Sequence, residues 1–342
     1  MSDKNIIAIQ PLGFPWETRD PFIFCVHHRD LFPKGNDEMG PAVSLEGRNI
    51  GQDFTIKDGW RMYNGQKIPG FPYHPHRGFE TITIVKEGLV DHTDSLGASA
   101  RFGNGDVQWM TAGKGVLHSE MFPLLNQNNE NPAELFQIWI NLPKKSKFVE
   151  PHFKMLWNEN IPVLREKDAN GNSIEIKLIA GNIGEIKALN PTPNSWAANQ
   201  DNEVLILTIK LDSNAKWILP KADNSINRTI YFYKGNGLEI DTIKIPEYHS
   251  VQVKSDSEIE IQAGNEPCFL LILQGKPINE PIVQYGPFVM NTQAEIQEAF
   301  QEYQQTQFGG WPWPNHEQAH PRNKGRFAIH ADGKEEIKES VN

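Results

Sequence analysis

The stretch Tyr73-His-Pro-His-Arg-Gly-Phe-Glu-Thr-Ile-Thr-Ile84 decides how this chain is read. His74 and His76 stand two residues apart, and in extended backbone that spacing puts both imidazoles on one face. A later pair with the same spacing, His118-Ser-Glu120, supplies a third imidazole and a carboxylate. If antiparallel pairing brings the two segments together inside a barrel, four ligands converge without strain in any residue. Such a donor set suits iron, manganese, nickel, copper, zinc or cobalt alike, and argues against calcium and magnesium, which prefer oxygen alone. Three neutral imidazoles and one carboxylate would leave a divalent ion with net positive charge, and an octahedral ion with open positions for dioxygen and a substrate oxygen.

Working outward, short runs of β-branched and aromatic residues broken by Gly, Asn, Asp and Pro recur from residue 20 to residue 275. The expected strands of the first half lie at 21–26, 80–85, 89–93, 106–110, 117–121 and 135–141. Those of the second half lie at 174–180, 203–211, 229–233, 238–240, 250–254, 258–262 and 268–274. So many short strands imply an all-β sandwich or barrel, and closure removes the exposed sheet edges. The halves resemble each other: Thr81-Ile-Thr-Ile-Val-Lys-Glu-Gly-Leu-Val matches Thr229-Ile-Tyr-Phe-Tyr-Lys-Gly-Asn-Gly-Leu-Glu-Ile as strand, Gly-containing turn and return strand. Phe136-Gln-Ile-Trp-Ile-Asn-Leu-Pro and Phe269-Leu-Leu-Ile-Leu-Gln each run on to a Glu-Pro pair. We therefore expect two tandem jelly-roll-type β-barrels, over 1–145 and 146–308. A short C-terminal helix is expected near 293–304, where Thr292 and Glu295 have capping-box spacing and Ile296, Ala299, Phe300 and Tyr303 form a stripe. The polar stretch 309–342 shows no period, so at most partial order is expected there and the tail should be dispensable for metal binding.

The chain of 342 residues is long enough for two cores, and its net charge of -10 disfavours a broad phosphate-binding surface. Cys25 and Cys268 are too few for a disulfide framework, and both sit in apolar runs, as buried free thiols would. No leader-like h-region and no apolar run of membrane-spanning length is present, so the expectation is a cytoplasmic protein with no membrane association.

His74-Pro-His-Arg-Gly-Phe-Glu80, Gln108-Trp-Met-Thr-Ala-Gly-Lys-Gly-Val-Leu-His-Ser-Glu-Met121, Leu135-Phe-Gln-Ile-Trp-Ile-Asn-Leu-Pro143 and Gly286-Pro-Phe-Val-Met-Asn-Thr292 resemble the pirin family of the cupin superfamily. The resemblance runs over about residues 20–308. It implies a bicupin fold with a metal only in the N-terminal barrel, at His74, His76, His118 and Glu120; no H-x-H occurs in the second half. Pirins are known as iron-binding proteins. Some cleave the flavonol quercetin with dioxygen, and nuclear eukaryotic members act as transcriptional co-regulators. The chain departs from the general cupin pattern at Thr111, where a proline is usual, and in the four residues between Gly113 and His118, where two are usual. Both departures are also what pirins look like.

Other residues carry plainer alternatives. Glu80 shares strand parity with the histidines and could be an inward carboxylate, a base behind the ligands or an alternative ligand. Arg77 has the opposite parity, which favours an ion pair outside the pocket. Phe79, Trp109 and Met110 could wall a cavity for an aromatic substrate or be plain core. Gly113-Lys-Gly115 lacks the spacing of a phosphate loop and reads as a tight turn. His27, His28, His92, His152 and His249 lack partners at ligand spacing and read as surface or turn residues, although one could sit in a substrate pocket. Two functions follow. One is an Fe(II)-dependent, quercetinase-like dioxygenase acting on a flavonol-like aromatic and O2, with Glu120 as the catalytic base. The other is a metal or redox sensor read by a protein partner, although no basic nuclear-localisation run is present.

Overall fold

The computed structural model describes residues 5–339; the first four residues and the last three of the polar tail lie outside them. Two compact units emerge, and they do not follow the linear division expected from the sequence. One takes the chain up to Val26, Trp139–Asn141 and Glu159–Asn279; the other takes His27–Ile138, Leu142–Asn158 and the described residues from Glu280 onward. Backbone pairing explains the difference. The strand Ile6–Pro11 pairs antiparallel with His249–Val253, so the start of the chain belongs to the sheet of the later barrel.

That unit is built of a seven-stranded and a four-stranded sheet. Ser173–Ala180 and Leu205–Leu211 alternate buried and exposed side chains over much of their length, as one-sided burial of a strand requires. Leu178, Leu207, Ile230 and Ile272 from one sheet meet Trp217, Leu238 and Ile261 from the other in a single core. Cys25 and Cys268 are buried free thiols, as their apolar settings imply.

The unit with the histidine pairs has two main sheets. One runs in the order His152–Leu156, Val107–Thr111, Phe79–Glu87, then the parts of Asn131–Asn141 and Phe22–Phe32 that fall in this unit. The other runs Glu335–Lys338, Arg326–Ile329, Ser99–Gly103, Leu89–Asp94, Val116–Met121, Gly70–His76. Val85, Val90, Phe102, Leu135 and Phe153 pack between them. The expected capping box is formed: Thr292 accepts from the Glu295 amide and Glu295 from the Thr292 amide, opening the helix Gln293–Thr306. Its buried Ile296 and Ala299 pack on Phe288 and Met290.

The tail is more ordered than its composition implies. Arg326–Ile329 pairs with Ser99–Gly103, and Phe327 and Ala328 are buried. The Arg326 guanidinium grips the Asp106 carboxylate at 2.8 Å through Nε. An added strand needs backbone hydrogen bonds and only a few apolar side chains, so a polar segment with one Phe-Ala-Ile run suffices. Among the described residues, no helix is long and apolar enough to cross a membrane.

Two corners fix the histidine strands. Gly113 (φ +48°) and Gly115 (φ +138°) make the expected turn ahead of Val116–Met121. Gly78 (φ +86°) turns the chain from one sheet to the other, and a Cβ there would lie 2.0 Å from the Val289 carbonyl oxygen. Gly78→Ala should therefore cost about 1–3 kcal/mol or more, read as a lower urea midpoint at unchanged m-value; an unaltered midpoint would contradict the corner.

Candidate metal centre

The site rests on the pairing of Gly70–His76 with Val116–Met121, whose register sets His74 opposite His118. Directly opposed residues of antiparallel strands point to the same face, so the two rings meet. The ladder slips between Phe71 and His74, leaving Pro72 and Tyr73 as a bulge that re-aims the following side chains. The potential ligand atoms of His74, His76 and His118 all lie within 4.8 Å of one another.

Second partners set the tautomers of two of the rings. His74 Nδ1 donates to the Pro72 carbonyl at 2.9 Å, and His76 Nδ1 makes a longer contact of 3.4 Å with the Pro287 carbonyl. With both Nδ1 protons so engaged, the two Nε2 atoms face each other as lone pairs only 3.1 Å apart. Neither nitrogen of the fully buried His118 has a hydrogen-bond partner. Burial, and then the neighbouring imidazoles, hold the pKa of His76 and His118 well below the usual range; burial also lowers that of His74. Neutral imidazoles turned to one point, with both nitrogens of His118 lacking a hydrogen bond, suit a divalent cation, which would remove both the lone-pair repulsion and the orphaned acceptor.

Glu120 is placed differently from the three rings. Its cross-strand neighbours are Phe71 and His92, and no carboxylate among the described residues joins the imidazole cluster. Its Oε1 accepts from the Thr83 hydroxyl at 2.7 Å and its Oε2 from the Gln137 amide at 3.1 Å. Burial raises its pKa, partly offset by Thr83, His92 and Gln137. The single Thr83 proton faces oxygens of Glu120, Gln137 and Gln108. A protonated Glu120 or a turned glutamine amide completes that set.

The remaining candidates separate clearly. Glu80 accepts from Thr111 at 2.7 Å and from the Trp109 indole at 3.3 Å, outside the imidazole cluster. Arg77 makes the expected ion pair, 2.8 Å from Glu302 of the helix, and stacks over Phe308. Phe79 and Trp109 are fully buried, with Phe79 set edge-on to His76 at 4.9 Å, while Met110 packs with Ala112 and Val116.

Several histidines expected at the surface are instead interior. His27 contacts Glu134, His28 contacts Tyr63, and His92 is fully buried with its ring 5.6 Å from His118. His92 Nε2 faces Asp94 at 3.3 Å and the ring stacks on Phe153. Thr83, Gln108 and Gln137 were not singled out from the sequence either. Their signal is a lone polar residue among apolar neighbours, Gln108 before Trp-Met and Gln137 between Phe and Ile. Lys147 is also buried, donating to the Gly78 and Val289 carbonyls, with its pKa brought down to about 8 by burial.

Family models match in both halves: Pirin over residues 35–140 and the pirin C-terminal cupin domain over 206–309. The architecture is thus a bicupin, with a convergent imidazole triad in one of its β-units. The chain belongs to the pirin family. It is 35% identical over 240 residues to a pirin-like protein of Solanum lycopersicum, covering 69% of this chain and 75% of that one. It is 33% identical over 254 residues to the pirin of Homo sapiens, covering 72% and 80%. A crystal structure of quercetin 2,3-dioxygenase from Acinetobacter baumannii superposes with a TM-score of 0.70 at 25% identity, covering 90% of this chain and 99% of that one.

The buried histidines carry a pH consequence. Burial, and then Arg61 and His27, bring the His28 pKa from 6.5 to about 3, and the three cluster imidazoles shift the same way. The unfolded chain therefore binds more protons than the folded one below pH 6.5, and stability falls as pH drops through that range. The metal-free protein should melt at a nearly constant temperature between about pH 7 and 8 and at progressively lower temperatures toward about pH 4. A melting temperature that rose on acidification would contradict the neutral, buried assignment.

Proposed function

We propose that this chain is a metal-dependent dioxygenase, with Fe(II) as the ion, that opens a flavonol or a related enolisable aromatic. The observation that carries the reading is the convergence of the ligand atoms of His74, His76 and His118 within 4.8 Å of one another, with neither nitrogen of the fully buried His118 hydrogen-bonded. The likeness to a quercetin 2,3-dioxygenase structure supports the substrate class. In this reading His74, His76 and His118 hold the ion. Glu120 serves as the fourth ligand when turned toward the rings, and as the base when held by Thr83 and Gln137. A bound iron ion would supply Lewis acidity toward a hydroxyl–carbonyl pair and redox access to dioxygen.

The chain's own residues prepare the chemistry. The Pro72 and Pro287 carbonyls hold the rings of His74 and His76 in one tautomer and orientation. Glu120, made more basic by burial, takes the proton of the substrate hydroxyl, and Thr83 and Gln137 steady its carboxyl. Phe79, buried beside His76, helps keep bulk water from the imidazoles.

Iron-loaded protein incubated with quercetin under oxygen should consume the flavonol and release carbon monoxide; the absence of both events would remove the enzymatic reading. His118→Ala should abolish stoichiometric metal in elemental analysis while leaving far-UV circular dichroism unchanged, because the barrel has its own apolar core. Retained metal in that variant would overturn the ligand assignment. Glu120→Gln should lower kcat about a hundredfold or more; unchanged turnover would exclude Glu120 as the base.

A further inference from the structure

The strand carrying His74 and His76 is the outermost of its sheet, paired on one side with Val116–Met121. Pro72 and Pro75 remove two amide donors from it, as suits an edge strand. Within the bulge, Tyr73 alone retains an N–H, and that group donates to the His316 carbonyl of the tail at 3.0 Å. The Tyr73 ring stacks on Trp311 at 5.1 Å and meets His316 edge-on at 4.7 Å.

The same short segment is anchored at both ends. The Glu317 carboxylate accepts from the consecutive amides of Gln66, Lys67 and Ile68 at 2.7, 2.9 and 3.1 Å, just ahead of the ligand strand. The Trp313 indole donates to the Asp94 carbonyl at 2.8 Å, and Asp94 is the cross-strand neighbour of His118 on the side away from His74. Residues 311–317 therefore fasten the strand of one ligand pair and the strand beside the third ligand. They lie beyond the 206–309 match to the C-terminal cupin domain.

We propose that residues 311–317 are a positioning strap for the metal ligands, with Trp311 and Glu317 its principal anchors. The inference rests on the metal-site reading above. Physically, the strap fixes the bulge, and the bulge presents the Pro72 carbonyl that orients the His74 ring. Without it, Pro72 and Tyr73 would lose their hold from outside the sheet and His74 would sample orientations in which Nε2 leaves the shared point. This replaces the expectation that the tail is dispensable for metal binding.

The test uses the full chain and Co(II) as the probe, with affinity from chelator competition, dissociation rate from metal exchange, and coordination from the visible spectrum. Trp311→Ala and Glu317→Ala should each weaken Co(II) binding about tenfold or more and speed its release, the usual scale for groups that orient ligands. Trp311→Phe should restore most of the affinity, since a stacking ring remains. Wild-type affinity and release rate in both alanine variants would overturn the strap, as would a lowered melting temperature with unchanged Co(II) affinity. Should Glu317→Ala fail to fold, the comparison of Trp311→Ala with Trp311→Phe decides alone. Failure of the wild-type protein itself to bind Co(II), or equal binding by His118→Ala, would instead sink the metal site on which the strap depends.

Discussion

The antiparallel pairing of Gly70–His76 with Val116–Met121 is the constraint on which the site depends. One register step either way would send His118 to the opposite face of its sheet, away from His74. Val116–Met121 is buried along its whole length, with Val116, His118 and Glu120 on one face and Leu117, Ser119 and Met121 on the other, so a slip by one residue would exchange the two sets. The bulge at Pro72 and Tyr73 then adjusts the angle of His74 without breaking the ladder on either side of it.

Around that pairing the protein compensates for burying polar groups. Arg77 would be costly inside an apolar corner, yet its guanidinium meets Glu302, the Lys114 carbonyl and the Phe308 ring. Lys147 gives its protons to carbonyls of Gly78 and Val289, tying the corner after His76 to the segment that carries the Pro287 acceptor. Glu120 lies in a row with Thr83, Gln108 and Gln137, where hydrogen bonds offset its desolvation. His118 stands apart because neither of its ring nitrogens has such compensation from the protein.

Much of the fold was legible in local sequence. The strand over Cys268–Gly275, the two strands flanking Gly88 and the capped helix at Thr292 fall where apolar runs, turn glycines and capping spacing put them, although the strands either side of Gly88 join different sheets instead of pairing. The short strands Ser99–Gly103, His152–Leu156 and Lys216–Leu219 escaped notice, being too brief for alternation to register. The tail strands escaped for a different reason: a strand added at a sheet edge is specified by backbone hydrogen bonds, which leave no side-chain period.

The sequence by itself determined the three imidazoles as candidates, because a spacing of two residues in extended chain is a local property that no tertiary contact can change. It also determined the duplicated all-β design, through turn residues and repeated strand patterns. Only the tertiary structure decided that His92, His27 and His28 are interior, that Glu120 is held by Thr83 and Gln137, and that the tail clasps the strand of His74. Each of these depends on which distant segments lie side by side, and register and edge pairing arise from packing over the whole barrel.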